Sequence, residues 1–302
     1  MAEVHGIAEL YEAFGHVPPP KTIPHHREGC CGSDDYYARL VRKHRSSLDA
    51  SDFGMYLPHV LLPGNGTAED FSYFLPRLLE LWVLYLPEGT VVDDWLFTKL
   101  LEDGFIHRRL APELREAIIR FVDRTFLSLV DDVRAIDEPR NTSPVTARPA
   151  WPAIWYTRGQ LGPIAHLWSD WWGFRTLGRA RAAAQFASCL VTLDESNPLF
   201  LPWTRDGGGG PPSLLEDLSI GFSPGWLPEN VEEFKRRLTP ESLADLVRRC
   251  EEALPAPAER SMVGLLASRL QTLPEIAQAK LYDLEDSISA PLPWMNMGGG
   301  RP

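Results

Sequence analysis

The sequence predicts an all-α fold, and three observations carry that prediction. Apolar residues recur at three- to four-residue spacing in several long segments, as they do on the buried face of a helix. A ten-residue pattern, D-F-x-x-aromatic-L-P-x-aliphatic-L, begins at Asp52 and again eighteen residues later at Asp70. No stretch alternates apolar and polar residues over five or more positions beside a hairpin turn, so no sheet is expected.

The first predicted helices include both copies of this repeat. Residues 3–14 have helical spacing, and a run of three prolines ends that helix. The repeat copies predict helices over about 49–62 and 67–86. Because only residues 63–66 connect them, we expect an antiparallel helical hairpin. Such hairpins would pack as a helical array that is either globular or solenoid-like.

Each copy of the repeat carries a start signal and an internal proline. Asp49 and Thr67 each stand three residues before the acid that opens the repeat, which is the spacing of an N-cap and an acidic third residue. Pro58 and Pro76 fall inside the two predicted helices, where each removes a backbone hydrogen bond and kinks the axis. Two helices that kink alike can nest against each other.

Further helices are predicted along the rest of the chain. Helical spacing places them near 91–103, 111–136, 159–170 and 174–193, with a punctuated helical block over 228–289. Thr239 and Pro240 mark a helix start, since Thr caps and Pro fits the first turn. Residues 138–152 are rich in Pro, Asn, Thr and Ser, and are predicted to be a linker or a long loop. The predicted divisions are an N-terminal helical region 1–137, a C-terminal helical region 153–290 and a disordered tail 291–302, unless the two regions form one continuous domain.

The composition excludes some classes of function. The net charge of −11 disfavours nucleic acid as a partner, because affinity for a phosphate backbone depends on Lys and Arg. No apolar run reaches the roughly 18 residues of a membrane span, and the polar N-terminus lacks the features of a signal peptide. Four cysteines in 302 residues are too few for a disulfide framework. We therefore expect a cytoplasmic protein with no membrane partner.

One segment combines the side chains that zinc prefers. Residues 24–35 contain two imidazoles, two thiols and three carboxylates. The candidate ligands are His25, His26, Cys30 and Cys31. Structural zinc sites usually space their thiols by two to four residues, whereas these cysteines are adjacent. The alternative is therefore a plain loop, in which Ser33 or Asp34 caps a helix from Tyr36 to Lys43.

Six of the ten tryptophans lie between residues 151 and 203. Clustered tryptophans can line a groove for a sugar, a base or a peptide. Trp168, Trp171 and Trp172 also match the spacing of a buried helix face, which favours core packing. Arg175 and Arg179 follow four residues apart on one predicted helix face, where they either hold an anionic partner or face solvent.

The sequence predicts no reaction. It contains no G-x-S-x-G, H-E-x-x-H, C-x-x-C or dinucleotide-binding pattern. The glycine run 207–210 is not followed by Lys-Ser or Lys-Thr, so it is a loop and not a phosphate-binding P-loop. Spatial triads need no local motif, so these absences favour a non-enzymatic protein without excluding an enzyme.

The first 135 residues resemble a family of uncharacterised bacterial proteins. The resemblance depends on Leu10 with Tyr11, on the pair Cys30 and Cys31, on Asp52 with Phe53, and on the run from residue 69 to 81. In that family a cysteine-rich turn precedes a D-F-x-x-F-L-P-R-L-L-E-L helix. Its members carry a third cysteine two positions before the pair, where Glu28 or Gly29 stands here. The resemblance implies a helical architecture and a bacterial cytosol, and it implies no activity, cofactor or substrate.

Three hypotheses about function follow. The leading one is a non-enzymatic module that binds another protein, in a regulatory, immunity or phage-defence role. Its predicted partner-binding residues are His59, Tyr73, Arg77, Trp171 and Arg175. The second hypothesis is a zinc-binding protein or metal-dependent enzyme that uses the segment from His25 to Cys31. The third is a self-assembling structural protein, a homo-oligomer whose aromatic surfaces bury against a copy of itself.

Overall fold

A computed structural model describes helices in both halves of the chain. The residues described are 4–26, 32–62, 64–85, 96–97, 99–101, 104–133, 151–191, 227–237, 239–257, 259–260, 263–264 and 267. Within them every regular element is a helix and no strand occurs, so the predicted all-α class is confirmed. The chain divides into two compact units, Met1–Thr125 (unit 1) and Phe126–Pro302 (unit 2).

Unit 1 is built on amphipathic α-helices joined by short helical turns. Its helices are α1 (Ile7–Ala13), α2 (Asp34–Arg42), α3 (Ala68–Tyr85) and the greater part of α4 (Pro112–Asp131), with 3-10 helices at Arg45–Ser47 and Ala50–Phe53 and a π-helix at Phe105–Arg109. The helices predicted over 3–14, 67–86 and 111–136 are thereby confirmed. Ser33 caps α2 through a hydrogen bond that Tyr36 N–H donates, as predicted for the plain loop.

The two copies of the repeat begin in the same way. Asp49 Oδ1 accepts a hydrogen bond from the Asp52 N–H, and Asp52 Oδ2 accepts one from the Asp49 N–H. Thr67 Oγ1 accepts from the Asp70 N–H, and Asp70 Oδ2 accepts from the Thr67 N–H. Both predicted N-caps are therefore confirmed as reciprocal capping boxes.

The two copies then diverge at their prolines. In α3, eight helical residues precede Pro76 and nine follow it, which is enough to continue the helix across one missing hydrogen bond. Pro58 is followed by only four residues before Pro63, and Gly54 weakens the preceding turn. The first copy accordingly forms a short 3-10 helix and then turns. The α-helix predicted over 49–62 is wrong, and the hairpin that depended on it is not confirmed.

Unit 2 contains the end of α4 and five further described helices. These are α5 (Trp151–Leu161), α6 (Ala165–Trp171), α7 (Leu177–Val191), α8 (Pro228–Arg237) and α9 (Pro240–Ala253). Thr239 Oγ1 accepts from the Ser242 N–H, so the predicted start of α9 is confirmed. The single helix predicted over 159–170 is wrong, because Gly162 and Pro163 separate α5 from α6.

Aromatic side chains fill the core of unit 2. The clustered residues, here called the Trp cluster, are Trp151, Trp155, Trp168, Trp171 and Trp172 with Phe126 and Phe186. Their ring centroids lie 5.0 to 6.5 Å apart, mostly edge to face. Helix α9 packs against α7, and the buried Cys250 thiol lies 3.6 Å from the Ala180 carbonyl oxygen. The three- to four-residue spacing of tryptophans on α6 therefore marks core packing, as favoured from the sequence.

Several predictions fall wholly or partly outside the described residues. They concern most of the helix near 91–103, nearly all of the linker 138–152, the glycine run 207–210, most of 268–289 and the tail 291–302. None of the helices in the described part of the chain is long and apolar enough to cross a bilayer.

Candidate functional site

Two short turns, one in each unit, combine exposed apolar side chains with unusual backbone. Among the described residues, the large apolar side chains that are exposed are Met55 (38%), Leu62 (37%) and Leu177 (44%). The non-glycine residues with positive φ there are Leu61 (68°) and Phe174 (51°). Both features therefore coincide in residues 54–62, here called turn A, and in residues 172–177, here called turn B.

Turn A is held at its base by charged and phenolic groups. Lys43 Nζ donates to both carboxylate oxygens of Asp52, at 2.7 and 2.8 Å. The Tyr36 hydroxyl donates to the Asp52 carbonyl oxygen at 2.5 Å and accepts from the Tyr56 N–H at 3.1 Å. These bonds fix both the entry to turn A and the direction of its first residues.

Turn A has an inner and an outer face. The inward side chains, all 1% exposed or less, are Tyr56, Leu57 and Val60, and Phe53 just before the turn is equally buried. The outward residues are Met55, His59 and Leu62, which are four and three residues apart and alternate with the buried ones in the sequence. The His59 ring Nδ1 lies 2.9 Å from the Met55 carbonyl oxygen, and the Leu62 N–H donates to the His59 carbonyl oxygen at 3.2 Å. The inner face thus anchors a compact apolar outer face.

Leu61 holds turn A in a conformation that costs free energy. A bulky residue at φ 68° suffers a clash between its Cβ and its own backbone, and glycine avoids that clash. We expect Leu61→Gly to be more stable than Leu61→Ala by about 1 kcal/mol, because both lose the side chain and only glycine relieves the strain. Urea unfolding of the two variants measures the difference.

The neighbouring residue gives the matched control for that comparison. Leu62 does not have a positive φ, so Leu62→Ala should be more stable than Leu62→Gly, by roughly 0.5–1 kcal/mol. Equal stabilities for Leu61→Gly and Leu61→Ala would mean that the backbone of turn A is not strained.

Turn B joins α6 to α7 and carries a cation over a strained aromatic residue. The Arg249 guanidinium lies 4.5 Å from the centre of the Phe174 ring and also donates to the Trp172 carbonyl oxygen. Arg175 is exposed and lies 3.5 Å from an Asp170 carboxylate oxygen. Leu177 projects beside it at the start of α7. Turn B therefore presents one large apolar group flanked by arginine.

A polar clamp holds turn B in place. Arg179 donates to both carboxylate oxygens of Asp131, at 2.6 and 2.9 Å, and to the Asp170 carbonyl oxygen at 3.1 Å. The Thr176 hydroxyl donates to Asp131 Oδ1 at 2.6 Å and accepts from the Arg179 N–H. Gly178 lies so close to the carbonyl oxygens at the end of α4 that a Cβ would clash with them. The clamp joins the end of α4, the end of α6 and the start of α7.

The clamp predicts a pH dependence of stability. Partial burial raises the pKa of Asp131, but hydrogen bonds from Arg179 and Thr176 and the guanidinium charge outweigh burial and hold the pKa below its ordinary value. A carboxyl whose pKa is lower in the folded state stabilises it at neutral pH and loses that contribution as pH falls below about 4. We expect the stability gap between the native sequence and Asp131→Asn to shrink from pH 7 to pH 3, as measured by urea unfolding. A constant gap would contradict this.

The predicted partner-binding residues separate into two groups. His59 lies in turn A, and Arg175 lies in turn B. Trp171 is fully buried in the Trp cluster and Tyr73 is buried in unit 1. Arg77 is largely buried too, where it donates to the Leu48 carbonyl oxygen at 2.6 Å and to Glu80 at 2.7 Å. The last three make interior contacts, and so only His59 and Arg175 are placed to meet a partner on the surface.

The tyrosine and arginine side chains around α3 form an internal network. Arg45 is buried between the Tyr11 and Tyr73 rings, 5.3 and 5.1 Å from their centres, and donates to the Phe14 and Tyr73 carbonyl oxygens. The Tyr11 hydroxyl donates to Glu80 at 2.8 Å. Burial and the nearby Glu80 carboxylate raise the pKa of Tyr11 far above its ordinary value, so the hydroxyl stays protonated. This network ties α1 to α3.

The predicted zinc ligands are only partly described. His25 Nε2 lies 2.8 Å from Asp34 Oδ1, His25 Nδ1 lies 2.9 Å from the Ile23 carbonyl oxygen, and the ring stacks on Tyr37 at 4.1 Å. The His26 ring instead lies against Gly64. Cys30 and Cys31 are outside the described residues. Among the residues that the structure does describe, no group of three or more His, Cys, Asp or Glu side chains is arranged to hold a metal.

Sequence reasoning missed most of the side chains in the two turns. No sequence motif includes the exposed side chains Met55, Leu62 and Leu177. They are exposed in turns, at positions where the sequence predicted helix. One signal was available for turn B, where Gly173 interrupts the helical pattern directly before Phe174. Asp34 was predicted as a cap and counted among the carboxylates of residues 24–35, but its contact with His25 was not predicted.

Comparison with known proteins identifies no relative of this chain. No family model matches the sequence, and neither a curated protein nor a solved structure matches it. The resemblance of the first 135 residues to an uncharacterised bacterial family stays a prediction. Any functional assignment therefore depends on the chain's own residues and their geometry.

Proposed function

We propose that this chain is a non-enzymatic helical module that binds another protein in the bacterial cytosol through turn A and turn B. One observation carries the proposal: the exposed large apolar side chains of the described residues lie in the two segments that also hold a non-glycine residue at positive φ. Strain of this kind persists only where the surrounding structure enforces it, and it is concentrated at functional sites.

The chemistry of the turns suits protein recognition. Turn A presents Met55 and Leu62 next to His59, and turn B presents Leu177 next to Arg175. Binding energy at interfaces comes mainly from a few anchors that enter a partner's pocket, and rigid anchors lose little entropy on binding. The capping box and Asp52–Lys43 ion pair of turn A, and the Asp131–Arg179 clamp of turn B, supply that rigidity. A regulatory, immunity or phage-defence role would use such a module.

Site-specific photo-crosslinking tests the proposal. A photoreactive phenylalanine analogue replaces Leu62 or Leu177 in the full chain, which is expressed in the source bacterium and irradiated. Exposed control positions are Glu116 in unit 1 and Glu252 in unit 2. We expect one discrete cross-linked protein at positions 62 and 177 and none at the control positions. Equal cross-linking at all four positions, or none, would refute the proposal.

Polar substitutions provide the second part of the test. Leu62→Gln and Leu177→Gln should leave the free energy of unfolding within about 0.5 kcal/mol of the native value, because both side chains are exposed. Each should abolish recovery of the partner that cross-linking identifies. If the cross-linked species has the mass of a dimer of this chain, the same turns mediate self-association, which is the third hypothesis.

Zinc binding is a second candidate function, and the His25 geometry favours it. Metal-binding histidines usually donate one ring N–H to a carbonyl or carboxylate, which directs the other nitrogen at the metal. His25 Nδ1 beside the Ile23 carbonyl has this arrangement, and its Nε2, now 2.8 Å from Asp34 Oδ1, would have to exchange that contact for the metal. The sequence between them supplies Cys30 and Cys31.

Elemental analysis and native mass spectrometry test the zinc proposal. The protein is purified without added metal or chelator. We expect about one zinc per chain, lost in the double variant Cys30→Ser and Cys31→Ser and retained in a control variant, Cys250→Ser. Metal-free native protein would remove this candidate and leave the protein-binding proposal untouched.

A further inference from the structure

Two arginines at turn B have only loose ion pairs. The Arg175 side chain is 74% exposed, and its guanidinium lies 3.5 Å from Asp170 Oδ1. The Arg249 guanidinium lies 4.0 Å from Asp245 Oδ2. The ion pair of the clamp beneath turn B is closer, at 2.6 Å. Because exposed ion pairs contribute little to stability, Arg175 and Arg249 can exchange these carboxylates for one on a partner.

Stacking leaves the hydrogen-bonding edge of Arg249 accessible. Its guanidinium covers the Phe174 ring at 4.5 Å, and one of its N–H groups donates to the Trp172 carbonyl oxygen. A guanidinium has five N–H donors in one plane, so contact through its face does not use the donors at its edge. The Arg249 side chain is 34% exposed. It can therefore donate to a carboxylate that approaches turn B from solvent.

An apolar side chain accompanies these cations. Leu177 is 44% exposed and follows Arg175 by two residues. The whole chain has a net charge of −11, so a pair of arginines beside an exposed leucine is a local departure from its acidic character. Charge complementarity selects partners and sets their orientation, whereas an apolar anchor supplies much of the affinity. The complement of turn B is an acidic residue close to a large apolar one.

We propose that turn B binds an acidic segment of a partner protein, in which an Asp or Glu stands close to a large apolar residue. The carboxylate accepts hydrogen bonds from Arg175 and Arg249, and the apolar side chain packs against Leu177. The Asp170 carboxylate is then a competitor, because it holds Arg175 in the free protein. This inference rests on the proposed role of turn B as a protein-binding surface, and it adds the class of segment that turn B selects.

A phage-displayed library of random dodecapeptides tests the selectivity of turn B. The bait is the full chain, and peptides that also bind the Leu177→Gln chain are removed. We expect the remaining peptides to share an Asp or Glu close to a large apolar residue. Their consensus is synthesised with a fluorescent label, beside a copy in which the amide replaces the acidic residue. No enrichment, or enriched peptides without a shared acidic residue, would overturn the proposal.

Fluorescence anisotropy with the two peptides measures the contact with Arg175. On the native chain, the amide peptide should bind about tenfold more weakly than the acidic peptide. On Arg175→Gln the difference should fall below about threefold, because one partner of the interaction is already absent.

Two further variants distinguish charge recognition from a structural effect. Asp170→Asn should bind the acidic peptide about threefold more tightly, because the competing charge is gone. The clamp should be unaffected, since Arg179 contacts the backbone carbonyl of this residue. The control is Arg236→Gln, which removes a comparably exposed arginine charge from α8 and should leave both affinities unchanged.

The results separate this inference from the proposed function. An acid-to-amide difference of the same size on the native and Arg175→Gln chains would overturn the acidic-segment proposal. Unchanged or weaker binding of the acidic peptide to Asp170→Asn would overturn it too. Photo-crosslinking of a partner at position 177 together with either result would keep turn B as a protein-binding surface and reject only its selectivity for acidic segments.

Discussion

Replacing Asn230 with alanine is expected to lower the free energy of unfolding of unit 2 by about 4 kcal/mol. Asn230 is 1% exposed and makes three hydrogen bonds to the segment that joins α5 and α6. Its amide nitrogen donates to the Gly159 and Gly162 carbonyl oxygens at 2.8 and 2.9 Å, and its oxygen accepts from the Ile164 N–H at 2.9 Å. Alanine would leave the buried Ile164 N–H without an acceptor, at a cost of about 1–3 kcal/mol. It would also remove one donor each from the Gly159 and Gly162 carbonyl oxygens, at about 0.5–1.5 kcal/mol each, since the Leu227 N–H and Arg158 still donate to them.

The Gly159 to Ile164 segment makes the asparagine hard to replace. Gly162 and Pro163 break the helix there, so the last carbonyl oxygens of α5 need partners from outside the helix. Arg158 supplies part of the compensation by donating to the Gly162 and Pro163 carbonyl oxygens. Only Asn230 in the described residues both donates to and accepts from this segment.

Urea unfolding followed by near-ultraviolet circular dichroism of the tryptophans measures the Asn230 effect. The matched control is Glu229→Ala, one residue earlier and exposed at the start of α8, which should change the free energy by less than about 0.5 kcal/mol. A loss below about 1 kcal/mol for Asn230→Ala would show that the α5–α6 connection is satisfied without it.

Local signals in the sequence predicted local structure well. The caps at Asp49, Thr67 and Thr239 formed as predicted, because a cap needs only residues within three positions of each other. The class was predictable for the same reason, since helical spacing is a short-range pattern. Turn A shows the limit of such patterns: the same D-F and L-P residues give helix or turn according to how much chain follows the proline.

The candidate site depended on long-range contacts that no spacing rule contains. Arg179 reaches Asp131 from 48 residues away, and Asn230 reaches Ile164 from 66 residues away. Leu177 is exposed at the start of α7, two residues before the Arg179 that makes this contact. Trp171 shows the converse case, where the helical spacing favoured core packing and the structure places the side chain in the core.

Replacing Arg179 with alanine is expected to destabilise unit 2 by about 2 kcal/mol and to release turn B. Removing one partner of a buried ion pair costs roughly 3–5 kcal/mol, and this pair falls below that range because the Asp131 side chain is 31% exposed while that of Arg179 is 10% exposed. Asp131 would keep only the Thr176 hydroxyl among its described side-chain donors. The Asp170 carbonyl oxygen would lose the guanidinium as well.

The effect of Arg179→Ala on partner binding shows whether turn B must be rigid to bind or only needs Leu177 to be exposed. If the clamp pre-organises turn B, Arg179→Ala should reduce photo-crosslinking at position 177 severalfold and leave cross-linking at position 62 unchanged, because turn A is held by its own contacts to Lys43 and Tyr36. Arg179→Lys keeps the charge and loses the two-point contact with Asp131. Cross-linking at position 177 in this variant should therefore be intermediate between that of Arg179→Ala and that of the native protein. Undiminished cross-linking at 177 in a folded Arg179→Ala protein would mean that Leu177 binds without the clamp, and that the strain at Phe174 serves packing alone.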